Sequence, residues 1–123
     1  LILLSGALSP SYDLTDALAH VRDDVVNYHS RGDWLILGVG TRLFGTGDRR
    51  HVTSAGNCGF DLGSACADGC HKLAQIEWHR RMRGYGNRGG HAGSLSVRFI
   101  QTCIMEWLRG NVGACAGRDE MLN

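Results

Sequence analysis

The chain has 123 residues, 43% of them hydrophobic and 20% charged, and its formal net charge is +1. This length predicts a single domain over residues 1–123 with one hydrophobic core. The near-neutral charge argues against non-specific coating of nucleic acid, and no apolar run is long enough for a membrane span or a signal segment.

The first third of the chain alternates short apolar runs with one helical pattern. Residues 1–4 predict a buried strand, and Ser9 with Pro10 is a helix-start signal. The apolar residues that then recur at helical spacing are Leu14, Ala17, Leu18, Val21, Val25 and Tyr28. Gly32 is the predicted helix end, and residues 34–37 form a second apolar strand. A helix between two uniformly apolar strands predicts a βαβ crossover on a parallel sheet.

The remainder predicts two more helices separated by a glycine-rich loop. One helix covers residues 64–83, the loop covers 84–93, and a helical stripe from Val97 to Leu108 ends at Gly110. The fold class is therefore α/β, a single domain with a short parallel or mixed sheet and about three helices. A hairpin over residues 43–54 would make the fold α+β instead, and residues 95–99 also alternate like a strand.

A basic segment near the end of the second predicted helix is the least random part of the sequence. It interleaves four arginines with an aromatic residue and glycines: Arg80, Arg81, Arg83, Tyr85 and Arg88. Guanidinium groups bind phosphate as forked donors, and arginine-glycine segments bind RNA by stacking and phosphate contacts. We therefore expect binding of nucleic acid, RNA above all, or of a phosphate ligand. The alternative is a solvated helix end whose cations favour the helix dipole.

A second phosphate candidate is the glycine-rich loop 38–50, which ends in Arg49 and Arg50. If the two apolar runs are neighbouring parallel strands, this loop meets loop 5–11 at the carboxyl edge of the sheet, where ligands bind. The loop matches neither the dinucleotide fingerprint nor the P-loop. A nucleotide or phosphoryl enzyme is thus an alternative function, and turns that the backbone needs are the alternative explanation of the glycines.

A third hypothesis is a cysteine hydrolase. Residues 55–60 precede a possible helix, and a thiol at a helix N-terminus has a lowered pKa. This Ala-Gly-Asn-Cys-Gly-Phe stretch resembles the Asp-Gly-Asn-Cys motif of the ovarian-tumour family of cysteine proteases, with Ala55 in place of the aspartate. The resemblance implies Cys58 as nucleophile, with His91 as the first candidate base and His51 as the second.

The remaining cysteines point to packing. The odd number, five, favours a reducing compartment such as the cytoplasm. Cys66, Cys70 and His71 lack a strong zinc spacing, so no metal site is predicted, and no motif identifies a cofactor. Cys103 lies in the stripe of the last helix and is expected to pack. The predicted partners are nucleic acid or a phosphate ligand and no membrane, and a subunit of a larger protein assembly is the third function class.

Overall fold

A parallel sheet organises the structure. The computed structural model describes residues 1–65 and 70–110, and within these ranges three strands form one sheet: β1 (Ile2–Leu4), β2 (Val25–His29) and β3 (Leu73–Glu77). Their order is β1-β2-β3 and both pairings are parallel, with Val26 opposite Ile2 on one side and Ala74 on the other. The predicted α/β class and the first predicted strand are confirmed.

The central strand β2 was predicted as part of a helix, and that prediction was wrong. Helix α1 covers only Thr15–His20, and the backbone is already extended at Val21. Val25 and Val26 are completely buried in β2, where branched side chains pack well between two neighbouring strands. Val25 and Tyr28 lie three positions apart, a spacing that also fits a helical stripe, so periodicity misassigned them. Ser9 and Pro10 likewise precede a turn rather than a helix.

Side chains pack against both faces of the sheet, as a parallel sheet requires. One cluster joins β2 and β3 to the helical residues 97–108: Val26, Tyr28, Ile76, Met82, Phe99, Cys103 and Ile104. The other joins the opposite face to α1 and the following segments: Leu14, Leu18, Val25, Ala55, Phe60, Ala65 and Leu73. The sheet therefore forms the middle layer of the described fold.

The second predicted strand, residues 34–37, is helical instead. A π-helical segment, Trp34–Gly40, continues directly into α2 (Thr41–Phe44). A run of four apolar residues does not distinguish a strand from a helix, and this one lies beside the sheet rather than in it. Of this helix, only Leu37 and Thr41 are buried.

The outer side of the same helix is strongly apolar. Its exposed large side chains are Trp34, Leu35, Ile36, Val39, Leu43 and Phe44, the last of them 88% exposed. Contiguous apolar surface of this kind is typical of interaction sites. It favours the hypothesis of a subunit in a larger assembly, which stays a prediction.

The helix predicted over residues 64–83 is wrong in its described part. Helices α3 (Ala55–Cys58) and α4 (Leu62–Ala65) are single turns, and a 3₁₀ turn, Cys70–Lys72, leads into β3. Residues 66–69 of that prediction, Cys66 included, lie outside the described residues. Leu73 and Ile76 point to opposite faces of the sheet, which is why their spacing suits a strand buried on both sides.

The last predicted helix is confirmed. It is built from α5 (Val97–Phe99), a π-helical segment Ile100–Ile104 and α6 (Met105–Leu108). Gly110 follows with a positive φ of 85°, the conformation that glycine supplies at helix ends. Residues 43–54 form no hairpin and residues 95–99 no strand in the described chain. None of the described helices is long and apolar enough to cross a bilayer.

Candidate active site

Two loops that follow neighbouring strands bring a carboxylate and an imidazole together. Asp33 comes after β2, and His91 comes after β3 and the 3₁₀ helix Arg80–Tyr85. Because the carboxyl ends of parallel strands meet at one edge, both loops lie at the edge where α/β proteins bind ligands. The Nδ1 atom of His91 lies 2.7 Å from Oδ2 of Asp33.

One member of the pair is buried and the other is partly exposed. The Asp33 side chain is 2% exposed and the His91 ring is 41% exposed. An ionised carboxylate only accepts hydrogen bonds, so beside ionised Asp33 the Nδ1 atom of His91 carries a proton and donates a hydrogen bond to Oδ2 of Asp33. Among the described residues, no hydrogen bond engages Nε2 of His91. In its uncharged form the ring therefore presents a lone pair on Nε2, while its other nitrogen is hydrogen-bonded to a buried carboxylate.

The backbone around His91 is fixed by a series of hydrogen bonds. Trp78 Nε1 donates to the carbonyl oxygen of Asn87 at 3.0 Å, and the Gly89 amide donates to Asn87 Oδ1 at 2.9 Å. Ser30, which follows β2, donates its hydroxyl proton to the Gly89 carbonyl oxygen at 2.6 Å. The loop over residues 87–94, here called the His91 loop, is thus hydrogen-bonded to the residue that follows β2 and to the residue that follows β3.

Glycine is required at the closest approach between the two loops. Gly89 has a φ of +82°, and a Cβ there would lie 2.8 Å from the Trp78 ring. A Cβ on Gly32, beside Asp33, would lie 2.6 Å from the Gly89 carbonyl oxygen. Both positions need a residue without a side chain, which is what lets the Asp33 and His91 backbones approach each other.

Cys58 has different surroundings from those of the Asp33–His91 pair. It is the last residue of the single-turn helix α3 and precedes α4, and its Sγ contacts the carbonyl oxygens of Ser54 and Gly59. Cys58 is exposed, but partial desolvation by its surroundings raises the pKa of its thiol above the ordinary 9.0, outweighing the opposing effects of a backbone hydrogen bond and of Arg31 and Arg42. The expected lowering of this pKa was wrong.

The two candidate bases for Cys58 also have other partners. Nδ1 of His91 bonds to Asp33, and Nδ1 of His51 lies 3.2 Å from the carbonyl oxygen of Arg42. Within the described chain, no hydrogen bond joins either histidine to Cys58. The geometry therefore supports His91 as a base, but not the Cys58–His91 couple that the motif suggested.

The basic segment is exposed but only partly available. All four arginines are exposed, and the Arg83 guanidinium also lies 5.4 Å from the centre of the Trp78 ring. Tyr85 packs against the core cluster that contains Phe99, so its ring is not a free stacking platform. Binding of nucleic acid through this segment stays a prediction.

Residues 5–11 and 45–50 are in contact, but not as ends of neighbouring parallel strands, because residues 34–44 are helical. The Gly47 amide donates to the Ala7 carbonyl oxygen at 2.7 Å, and Ser9 donates to Asp48 from its amide at 2.9 Å and from its hydroxyl at 2.5 Å. Arg50 lies 3.6 Å from the same carboxylate, while Arg49 is exposed. Asp48, a carboxylate of residues 38–50 themselves, thus accepts these hydrogen bonds at the place where a phosphate was expected.

Asp48 gives a testable effect on acid stability. Burial raises its pKa, but hydrogen bonds from Ser9 and Thr46 outweigh this and lower it from 3.8 to about 2. A lowered folded-state pKa means that the carboxylate stabilises the fold above pH 3.8 and loses this effect as the pH falls toward 2. We expect Asp48→Asn to lower the free energy of unfolding by about 1–2 kcal/mol at pH 7 and by little near pH 2. Urea unfolding of both proteins at the two pH values measures it; an equal difference at both values would contradict the carboxylate's role.

Two of the described cysteines are engaged in disulfide bonds. Cys70 and Cys103 are disulfide-bonded, and Cys58 is the free cysteine among the described residues; Cys66 and Cys115 lie outside them. Disulfides are typical of oxidising compartments, so this finding does not favour the predicted reducing compartment. Within residues 1–65 and 70–110, no three histidine, cysteine or acidic side chains are grouped as metal ligands would be.

The sequence analysis named His91 as a candidate base for Cys58 and did not name Asp33, which lies between the predicted helix end at Gly32 and the predicted strand over residues 34–37. The available signal was the run Val25–His29, which, if assigned to a strand, places Asp33 in the loop after its carboxyl end.

Comparisons of the chain with protein-family models, with curated proteins and with solved structures returned no match. The resemblance of residues 55–60 to the ovarian-tumour proteases therefore remains a local one. The candidate site rests on the geometry of its own residues.

Proposed function

We propose that the protein is a hydrolase of acyl bonds, esters above all, in which Asp33 and His91 form the acid–base pair. The observation that carries the proposal is the 2.7 Å contact between the buried Asp33 carboxylate and Nδ1 of a half-exposed His91. The same division of roles, with a buried carboxylate that orients a histidine, recurs in hydrolases on unrelated folds.

The location of the pair supports this assignment. In α/β-hydrolases the acid also precedes the histidine along the chain, and the site lies at the carboxyl edge of a parallel sheet. Asp33 and His91 follow β2 and β3 in that order. This likeness concerns only the order of the residues and their place at the sheet edge, and the proposed chemistry rests on the side chains of Asp33 and His91.

The proposed reaction needs one proton acceptor and one proton donor, and His91 serves as both. Nε2 takes a proton from a water molecule, whose oxygen attacks the acyl carbon as the carbonyl π electrons move to oxygen. When the tetrahedral intermediate collapses, the bond to the leaving alcohol oxygen breaks and that oxygen takes the proton back from Nε2. Asp33 stays ionised throughout and stabilises the imidazolium that forms in between.

Water is the proposed nucleophile because no described serine or cysteine is hydrogen-bonded to Nε2 of His91. A hydroxyl group brought to Nε2 by another polypeptide segment would react in the same way, with a covalent acyl intermediate. The two cases differ in their kinetics, since the covalent route gives a burst of released alcohol.

Hydrolysis of p-nitrophenyl acetate tests the proposal. We expect His91→Ala to lower the initial rate by about 100-fold, the usual contribution of a general base. His71→Ala, which removes an exposed histidine from the turn before β3, is the matched control and should leave the rate unchanged. A His91→Ala protein that is folded by circular dichroism and hydrolyses the ester at the wild-type rate would refute the proposal.

A further inference from the structure

Ser5 combines a strained backbone with a position beside the candidate site. It is the first residue after β1 and has a φ of 51°, a left-handed conformation that serine seldom adopts. Such a backbone persists only where the surrounding contacts hold it, and conformations of this kind cluster at functional sites. The contacts of Ser5 therefore indicate what the strained turn is for.

The Ser5 hydroxyl contacts the His91 loop. It donates to the backbone carbonyl oxygen of His91 at 3.2 Å and lies 3.1 Å from the hydroxyl oxygen of Ser94, which is 6% exposed. These contacts join the carboxyl end of β1 to a loop that is 86 to 89 residues away along the chain. The hydroxyl is bonded to the backbone of His91 and not to its ring.

Two serines thus hold the same loop from two strands. Ser30, after β2, bonds to the Gly89 carbonyl oxygen, and Ser5, after β1, bonds to the His91 carbonyl oxygen. These two hydrogen bonds fix the backbone on both sides of Gly90, so only the side-chain torsions of His91 remain variable. The hydrogen bond between Nδ1 of His91 and Asp33 fixes these side-chain torsions.

We propose that Ser5 is a positioning residue for His91, holding the backbone of His91 so that the imidazole keeps its hydrogen bond to Asp33. The inference rests on the proposed function, because it concerns the base of the acyl hydrolysis. Ser5 acts through the loop and does not touch the substrate. Small displacements of a catalytic group lower the rate strongly, so the loss of this contact is expected to reduce turnover rather than substrate binding.

Two substitutions separate the hydroxyl from the backbone strain. Ser5→Gly removes the hydroxyl and adopts a positive φ without strain, so its melting temperature should not fall far below that of the wild type. Ser5→Ala removes the hydroxyl and keeps the strain. Ser64→Ala is the matched control, because Ser64 is an exposed serine in α4 whose hydroxyl bonds locally to Asp61.

The first readout is the ring proton of His91, observed by NMR in ¹⁵N-histidine-labelled protein. In the wild type and in Ser64→Ala, we expect a slowly exchanging Nδ1 proton that Asp33→Asn removes. Ser5→Gly and Ser5→Ala should lose this resonance or broaden it beyond detection while both remain folded. Its retention in both Ser5 variants would overturn the proposal, and so would unfolding of both, since Ser5 would then be a residue of folded stability only.

The second readout is hydrolysis of p-nitrophenyl acetate. We expect Ser5→Gly to lower kcat by about tenfold with KM unchanged, because an interaction that orients the base acts on the transition state. An unchanged kcat would count against positioning. If the wild type shows no hydrolysis at all, the proposed function fails, whereas loss of the ring proton in Ser5→Gly still supports the role of Ser5.

Discussion

Asp33→Asn should lower the rate of ester hydrolysis by about 10²–10⁴-fold, the range seen when a general base or its orienting carboxylate is removed. The side chain keeps its size, but an amide nitrogen can donate a hydrogen bond where the carboxylate could only accept. With the amide donating to Nδ1, the ring proton moves to Nε2, and Nε2 can no longer accept a proton from water. The imidazolium also loses the negative charge that stabilises it 2.7 Å away.

The control for this prediction is an exposed aspartate whose carboxylate, among the described residues, has no histidine partner; His20 contacts only its backbone carbonyl oxygen. Asp16 is exposed in the first turn of α1, and Asp16→Asn should hydrolyse the ester at the wild-type rate. Initial rates over a range of substrate concentrations separate kcat from KM, and the loss in Asp33→Asn should lie in kcat. If Asp33→Asn is folded and retains more than half of the wild-type kcat, Asp33 has no part in the reaction.

The sequence predicted the kind of sheet more reliably than its strands. Uniformly apolar runs indicated a parallel sheet with both faces covered, and Val26 and Tyr28 on one side with Val25 on the other show that this is so. The runs were nevertheless assigned to the wrong elements. Val25–His29 fits a helical stripe and a buried strand equally well, and its neighbours β1 and β3, which decide the matter, are distant in sequence.

The candidate site was predictable only in part for the same reason. His91 lies in a glycine-rich stretch that the sequence analysis singled out. Its partner Asp33 is identified by a contact across 58 residues, which no local pattern encodes. Ser5 is identified by a backbone torsion, which composition does not reveal. Local patterns did supply one candidate, the Cys58 thiol in a stretch that resembles a protease motif. The fold places Cys58 at the end of α3, where desolvation raises the pKa of its thiol.

Phe99→Ala should be the most destabilising single substitution in the described core. Phe99 is completely buried on the helix that follows the His91 loop, and its ring meets that of Tyr28 edge to face with centroids 5.5 Å apart. Removal of a buried phenylalanine ring costs about 3–5 kcal/mol, because transfer free energy is lost and a cavity remains. For a domain with a total stability of about 5–15 kcal/mol, this is a large share.

Val97→Ala is the matched control because Val97 lies on the same helix and is 69% exposed. Its effect on the free energy of unfolding should stay within about 0.5 kcal/mol. Urea unfolding followed by circular dichroism measures both variants, and similar midpoints for the two would contradict the assignment of Phe99 to the centre of the core. The folded fraction of Phe99→Ala should still show the slowly exchanging His91 ring proton, since Phe99 stabilises the layer beneath the site and does not orient the base. Loss of that proton in folded Phe99→Ala would mean that packing under the sheet, and not Ser5 and Asp33 alone, sets the position of His91.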